Sequence, residues 1–272
     1  MRGLARNLVV GGALLGGSAG LLVSSTTTAY NSSAEGERRR PVFTWPELER
    51  GIAERKRHAK ELQAVSGNAK QRLGELAKQL ETKKITPSEY ETRFTALRKE
   101  IVDRAETIVW GATGRDAYLR EHGCVKINPE AIAAIKELNM GVVEMGAGAG
   151  HWAKALKDAG VDVVAFDSDE SLPILDEQKK FNVKRGDPSV LSKHKNRALL
   201  LVYPPPGPMA EASVKAHSGA VVVYCGEGRG GVNASKEFFD ILEDKFIVTR
   251  QVEKFEQFGT KSFERLWVLR RQ

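Results

Sequence analysis

The chain has 272 residues, 41% of them hydrophobic and 28% charged, which is enough for one core of ordinary size plus an appendage. Its formal net charge is +7, and roughly +6 of that lies before Cys124, so an acidic partner is expected at the N-terminal part and not at the nearly neutral remainder. The two cysteines, Cys124 and Cys225, make neither a disulfide framework nor a zinc spacing, and a reducing compartment is the default.

Residues 1–43 read as a targeting or anchor segment with a linker, outside the fold. Arg2 and Arg6 precede an uncharged run from Leu8 to Val23, a Ser/Thr tail extends it to Ala29, and no acid occurs before Glu35. The apolar run is about 16 residues, short of the roughly 20 a spanning helix prefers. Three readings stay open: a cleaved signal, an organellar presequence, or a retained anchor through residues 8–29.

Residues 44–123 read as an α-helical hairpin. Thr44-Trp45-Pro46-Glu47 and Thr86-Pro87-Ser88-Glu89 have the pattern of capping boxes with proline in the first turn. Leu62, Val65, Ala69, Leu73, Leu76 and Leu80 recur at three and four, and Tyr90, Phe94, Leu97, Ile101, Ala105 and Ile108 do the same. Such narrow stripes suit a coiled-coil-like pair used as a spacer or oligomerisation arm. A sharper reading makes Arg55, Lys56, Arg57, Lys60, Lys70 and Arg72 a surface for RNA or protein, although no aromatics are interleaved for single-stranded RNA.

Residues 124–272 alternate strand and helix patterns. Asn128-Pro129 caps a helix that leads into Val142 to Met145, a short buried strand. Glu144-Met145-Gly146-Ala147-Gly148-Ala149-Gly150 follows as a glycine turn, a helix starts beyond it, and Val163 to Asp167 forms the second strand. A dinucleotide fingerprint would need glycine at 151, where His151 stands, so a nicotinamide enzyme is disfavoured. The order acid-x-Gly-x-Gly-x-Gly resembles motif I of class I S-adenosylmethionine-dependent methyltransferases.

Pro173 to Lys180 predicts a short helix and Phe181 to Lys184 a weak third strand, followed by the turn residues Gly186-Asp187-Pro188. Ala198 to Tyr203 is a strand that ends on Pro204-Pro205-Pro206. Gly219 to Tyr224 is the fifth, ending in the loop 225–231 with Glu227 and Arg229. A helix is expected from Asn233, then a final pair of strands over 245–252 and 263–269, with 257–260 between them.

From about Asn128 to Arg270 the chain resembles a poorly characterised eukaryotic group of class I methyltransferase-like proteins, through VEMGAGAGHWA, the Pro-Pro strand end, GEGRGG and RLWVLRR. The resemblance implies an α/β, Rossmann-like seven-stranded methyltransferase sheet, here behind an N-terminal α-helical hairpin. It implies S-adenosyl-L-methionine as cofactor, held by Glu144, Gly146, Gly148 and Gly150 at the methionine end, Asp167 at the ribose and Asp187 at the adenine. Tyr203, Glu227, Arg229 and His151 are the candidates on the side of an unidentified methyl acceptor. Tyr203 and Pro206 do not complete the Asp/Asn-Pro-Pro-aromatic pattern of amino-group methyltransferases. No metal site is expected. A cofactor made and used inside cells favours an organelle, mitochondrial first, or a membrane-anchored protein. The alternative is a non-catalytic member of the fold serving as an assembly or scaffold protein.

Overall fold

The computed structural model describes residues 39–110, 115–168, 179–256 and 263–272, and these belong to one compact unit. The expected anchor (8–29), the helix expected within 173–180 and the 257–260 turn lie wholly or mostly outside the described residues. No helix among the described residues is long and apolar enough to cross a membrane.

The hairpin consists of α1 (Pro46–Glu81) and α2 (Pro87–Trp110). Of the two expected capping boxes, the second forms: Glu89 accepts from the Thr86 amide at 2.8 Å, and the Glu89 amide donates to Thr86 Oγ1 at 3.2 Å. The first does not. Trp45, with no side-chain cap bond, is the residue before α1, because its indole is drawn into the core and moves the helix start on by one residue. Arg72 makes a forked bond to Glu100 of α2 at 2.6 and 2.9 Å, so this member of the expected basic surface is spent within the hairpin.

After α3 (Arg115–His122) comes α4 (Pro129–Lys136), capped as expected by Asn128, whose Oδ1 accepts from the Ala131 amide at 2.7 Å. The sheet is then built from β1 (Val142–Met145), β2 (Val163–Asp167), β3 (Lys184–Arg185), β4 (Ala198–Val202), β5 (Val221–Gly226), β6 (Phe246–Val252) and β7 (Arg265–Arg271), with α5 (His151–Asp158), α6 (Met209–Ala216) and α7 (Lys236–Lys245) between strands. The order is β3-β2-β1-β4-β5-β7-β6. β1 to β5 run parallel, with Val142 opposite both Val163 and Ala198. β7 runs antiparallel between β5 and β6, with Tyr224 opposite Trp267 and Val248 opposite Leu269. The seven-stranded α/β sheet expected from the sequence is present, including its antiparallel close.

Period-two alternation distributes the strand residues to two cores. Val143, Leu199, Leu201, Val222 and Tyr224 face α6 and α7, while Val142, Ala198, Leu200, Val221 and Val223 face α4 and α5. With both faces covered, the strands read as unbroken apolar runs. Helix α7 begins three residues later than expected, because Ser235 Oγ, and not Asn233, caps the amide of Phe238 at 3.2 Å. Helix α6 went unrecognised behind the prolines, although Ala210, Ser213 and Val214 make a short buried face.

The segment before α1 enters the same core. Arg39 bridges the outer strand, its carbonyl accepting from the Val248 amide at 2.9 Å, which covers part of that open edge. Phe43, Trp45 and Leu48 are all buried. The Phe43 ring lies 5.0 Å from both Phe239 and Trp267, and Trp45 lies 5.7 Å from Trp267. The first turns of α1 therefore belong to the sheet's core, and only its later turns extend as a hairpin. Phe43→Ala is expected to destabilise the full chain by about 3–5 kcal/mol in urea unfolding followed by tryptophan fluorescence, the cost of a buried aromatic truncation. An arm that merely tethered a hairpin would give a change within about 0.5 kcal/mol.

Candidate cofactor and acceptor site

The turn after β1 takes the left-handed backbone three times, at Gly146 (φ 78°), Gly148 (φ 54°) and Gly150 (φ 82°). The amides of Gly146 and Ala147 both donate to the Phe166 carbonyl, at 2.9 and 3.1 Å, and tie the turn to β2. Asp167, at the end of β2 and nearly buried, accepts from the Gly148 amide at 2.6 Å through Oδ2 and from the Ser168 amide at 2.7 Å through Oδ1. A carboxylate thus holds the middle of the loop from below. Where a Gly148 side chain would stand, nothing lies within 4 Å. The loop's backbone is therefore open to an approaching ligand at its centre.

Glu144 lies beneath the N-terminus of α5, buried at 2% exposure. It is bonded to the amide of Ala153, yet its Oε2 has no hydrogen-bond partner among the described residues. Burial first, and then the nearby charge of Asp167, push its pKa up to about 8 against the pull of the Ala153 amide. An incompletely satisfied carboxyl group beside a helix N-terminus is a place where a ligand's donor would be taken up.

Asp187 sits beyond β3, and the preceding Gly186 amide donates to the Asp167 carbonyl at 3.0 Å, which places Asp187 on the same edge of the sheet. Its Oδ1 accepts from the Ser189 amide at 2.8 Å and caps a 3-10 turn over Pro188–His194. Hydrogen bonds from the Ser189 hydroxyl and then from its amide hold the carboxyl below the usual range. The turn chemistry is thus realised, and the exposed second oxygen keeps acceptor capacity.

On the acceptor side, Tyr203 closes β4 in the left-handed region at φ 48°, costly for a bulky side chain, with its amide donating to the Cys225 carbonyl at 2.7 Å. Asn233 bolts the loops after β4 and β5 together. Its Nδ2 donates to the Pro204 carbonyl at 2.9 Å and its Oδ1 accepts from the Glu227 amide at 2.8 Å. The sequence pattern marks this buried asparagine only as a helix start, since nothing in one sequence shows that two distant loops share a partner.

Three of the expected acceptor residues are paired with neighbouring elements. Glu227, 1% exposed, receives a forked bond from Arg55 of α1, one arm at 2.8 Å, and accepts from the Val232 amide at 3.1 Å. Arg229 pairs with Asp240 at 2.9 Å and Glu243 at 2.8 Å on α7, and lies over the Phe239 ring. His151 turns towards the end of α3, with Nε2 3.0 Å from the Arg120 carbonyl and its pKa lowered by burial. All three are taken up in binding one element to another. Arg55, expected on a phosphate-gripping surface, likewise faces inward. The glycines of the loop serve the same packing: a Cβ on Gly228 would collide with the Phe43 carbonyl, which accepts from the Arg229 amide at 2.7 Å.

No family model matches the chain, and no curated protein does. Among solved structures, magnesium protoporphyrin IX methyltransferase from Synechocystis PCC 6803 with bound SAH is 14% identical, covering 64% of this chain and 100% of that one at a TM-score of 0.39. A TehB-like SAM-dependent methyltransferase from Corynebacterium glutamicum is 15% identical, covering 52% and 87% at a TM-score of 0.35. Likenesses this distant carry no argument of their own, and the assignment rests on strand order, on β7 inserted antiparallel, and on the glycine turn after β1. The chain has a seven-stranded, methyltransferase-like α/β fold.

Within this methyltransferase fold the Glu144 carboxyl sets a pH dependence. Its folded pKa of about 8 lies above the unfolded value near 4.5, so the folded state binds the extra proton between the two. Stability contributed by that proton is present below about pH 4.5 and is lost as pH rises towards 8. Comparing denaturation midpoints of the wild type and Glu144→Gln from pH 5 to 8 is expected to show a flatter profile for the variant.

Proposed function

We propose that the chain binds S-adenosyl-L-methionine in the cradle after β1 and transfers its methyl group to an acceptor at the edge formed by the loops after β4 and β5. The observation that carries the reading is the open backbone at Gly148, held by Asp167 and flanked by the half-satisfied carboxyl of Glu144. The residues fit the cofactor's chemistry: Glu144 and the α5 amides suit the amino and carboxyl groups of a methionine end, Asp167 two ribose hydroxyls, and Asp187 an exocyclic amine. The bound cofactor supplies a methyl group activated by its sulfonium, so positioning and exclusion of water are the protein's main tasks. Tyr203 is the remaining acceptor-side candidate and would line or orient the acceptor; Asn233 keeps its two loops in register.

The internal pairing of Glu227 and Arg229 favours a second reading, a non-catalytic member of the fold whose hairpin contacts protein or RNA. An organellar or membrane-anchored setting through residues 8–29 belongs to both readings. Titration calorimetry with S-adenosylmethionine and its demethylated product separates them at the first step. Saturable binding is expected, with Asp167→Ala weakening it by about a hundredfold through lost charge-assisted bonds, and Asp187→Asn by no more than about tenfold. Absence of heat at millimolar cofactor with folded protein would sink the enzymatic reading.

A further inference from the structure

At the opposite edge of the sheet, where β5 begins and β7 ends, an open cleft of about 400 Å³ lies between the C-terminal ends of α6 and α7, lined by Lys215, His217, Ser218, Lys245 and Arg271 among others. The cofactor cradle sits at the C-terminal ends of β1 and β2, so the two sites share no residue.

We propose that this cleft is a phosphate-binding site, taking the phosphate of a small phosphorylated metabolite or of a nucleic-acid backbone. Arg271 is fixed in place: Nη2 donates to the His217 carbonyl at 2.9 Å, Nε to the Gly219 carbonyl at 3.4 Å, and the guanidinium lies over the Phe246 ring at 4.6 Å. Among the described residues no carboxylate pairs with it or with the exposed Lys245, whereas Lys215 is held by Glu211 at 2.5 Å. Burial alone lowers the Arg271 pKa, the mark of a cation shielded from water without an anion beside it.

The plain explanation is that these cations offset the negative ends of α6 and α7. Each end supplies about half a charge. Together they neutralise one of the two unpaired cations and leave about one positive charge over, which suits a monoanion or dianion. His217 is the independent sign. It is 1% exposed, lines the cleft, and has no well-formed hydrogen bond at either ring nitrogen among the described residues. Burial and then Arg271 lower its pKa, against weak backbone hydrogen bonding at Val221 and Arg197 that raises it. An imidazole held this loosely is what an incoming anion would engage, donating through N–H and tolerating its own protonation. The other charged groups bearing on it are His194 on the 3-10 segment and Lys215 on α6.

The test is an NMR titration of the His217 imidazole in the full chain with inorganic pyrophosphate at low salt. The site predicts a saturable change, a His217 pKa raised on saturation, and affinity weakened at least about tenfold by Lys245→Glu, a surface change that leaves the core alone. Asp167→Ala is expected to leave this binding intact, which keeps the outcome independent of the cofactor reading. Displacement of pyrophosphate by short single-stranded RNA assigns the backbone as source, and displacement by nucleoside monophosphate or sugar phosphate alone assigns a metabolite. No saturable change up to about 10 mM, or an unaltered response in Lys245→Glu, overturns the proposal.

Discussion

The forked ion pair between Arg55 and Glu227 is the constraint on which the acceptor edge depends. A carboxylate this buried is several kcal/mol unfavourable unless a partner and amides surround it. Arg55 supplies one side and the Val232 amide another. Because Arg55 sits on α1 and Glu227 follows β5, satisfying the charge forces the first turns of α1 against the loop. The loop in turn must let the Phe43 backbone through, which only glycine at 228 permits. Charge, glycine and the buried arm are then parts of one solution to one desolvation problem.

The cradle is organised by a different economy. At the acceptor edge the polar groups Glu227, Arg229 and Asn233 are matched to partners within the chain. At the cradle, Asp167 is matched by two amides, while Glu144 is left with an idle oxygen and a proton it would not carry in water. Of the three left-handed glycines, Gly150 packs against Phe181 and Gly146 lies close to Met209, whereas Gly148 meets nothing within 4 Å. The edge built around Glu227 is closed, and the edge built around Gly148 is open.

This contrast also explains what was legible in the sequence. The sheet could be read because its signals are local: apolar runs at β4 and β5, the glycine turn after β1, and the Asn128 and Thr86 caps each declare themselves within a few residues. The left-handed turn after β1 was legible for the same reason, since Glu144 to Gly150 is one contiguous motif. The pairings of Glu227 and Arg229 were not. Glu227 and Arg229 in a glycine-rich loop look like free reagents until their partners, 172 residues back for Glu227 and 14 ahead for Arg229, are known. The capping box at Thr44 failed similarly, because the pull of the core on Trp45 outweighs a cap of about 1 kcal/mol.

Stability alone would not maintain both edges as they stand. Replacing Glu144 by a neutral isostere removes a group that is costly to ionise at neutral pH and leaves the strand's packing unchanged, so a fold under selection for stability alone would shed it. A scaffold would need Arg55, Glu227 and the docked arm, and would have no use for an unsatisfied acid beside an open glycine backbone. Departures from local optimality mark functional sites, and the idle oxygen of Glu144 beside the glycine turn is one of them. The cradle therefore has the make-up of a ligand site, while the loops after β4 and β5 are closed by pairs within the chain, with Tyr203 beside them.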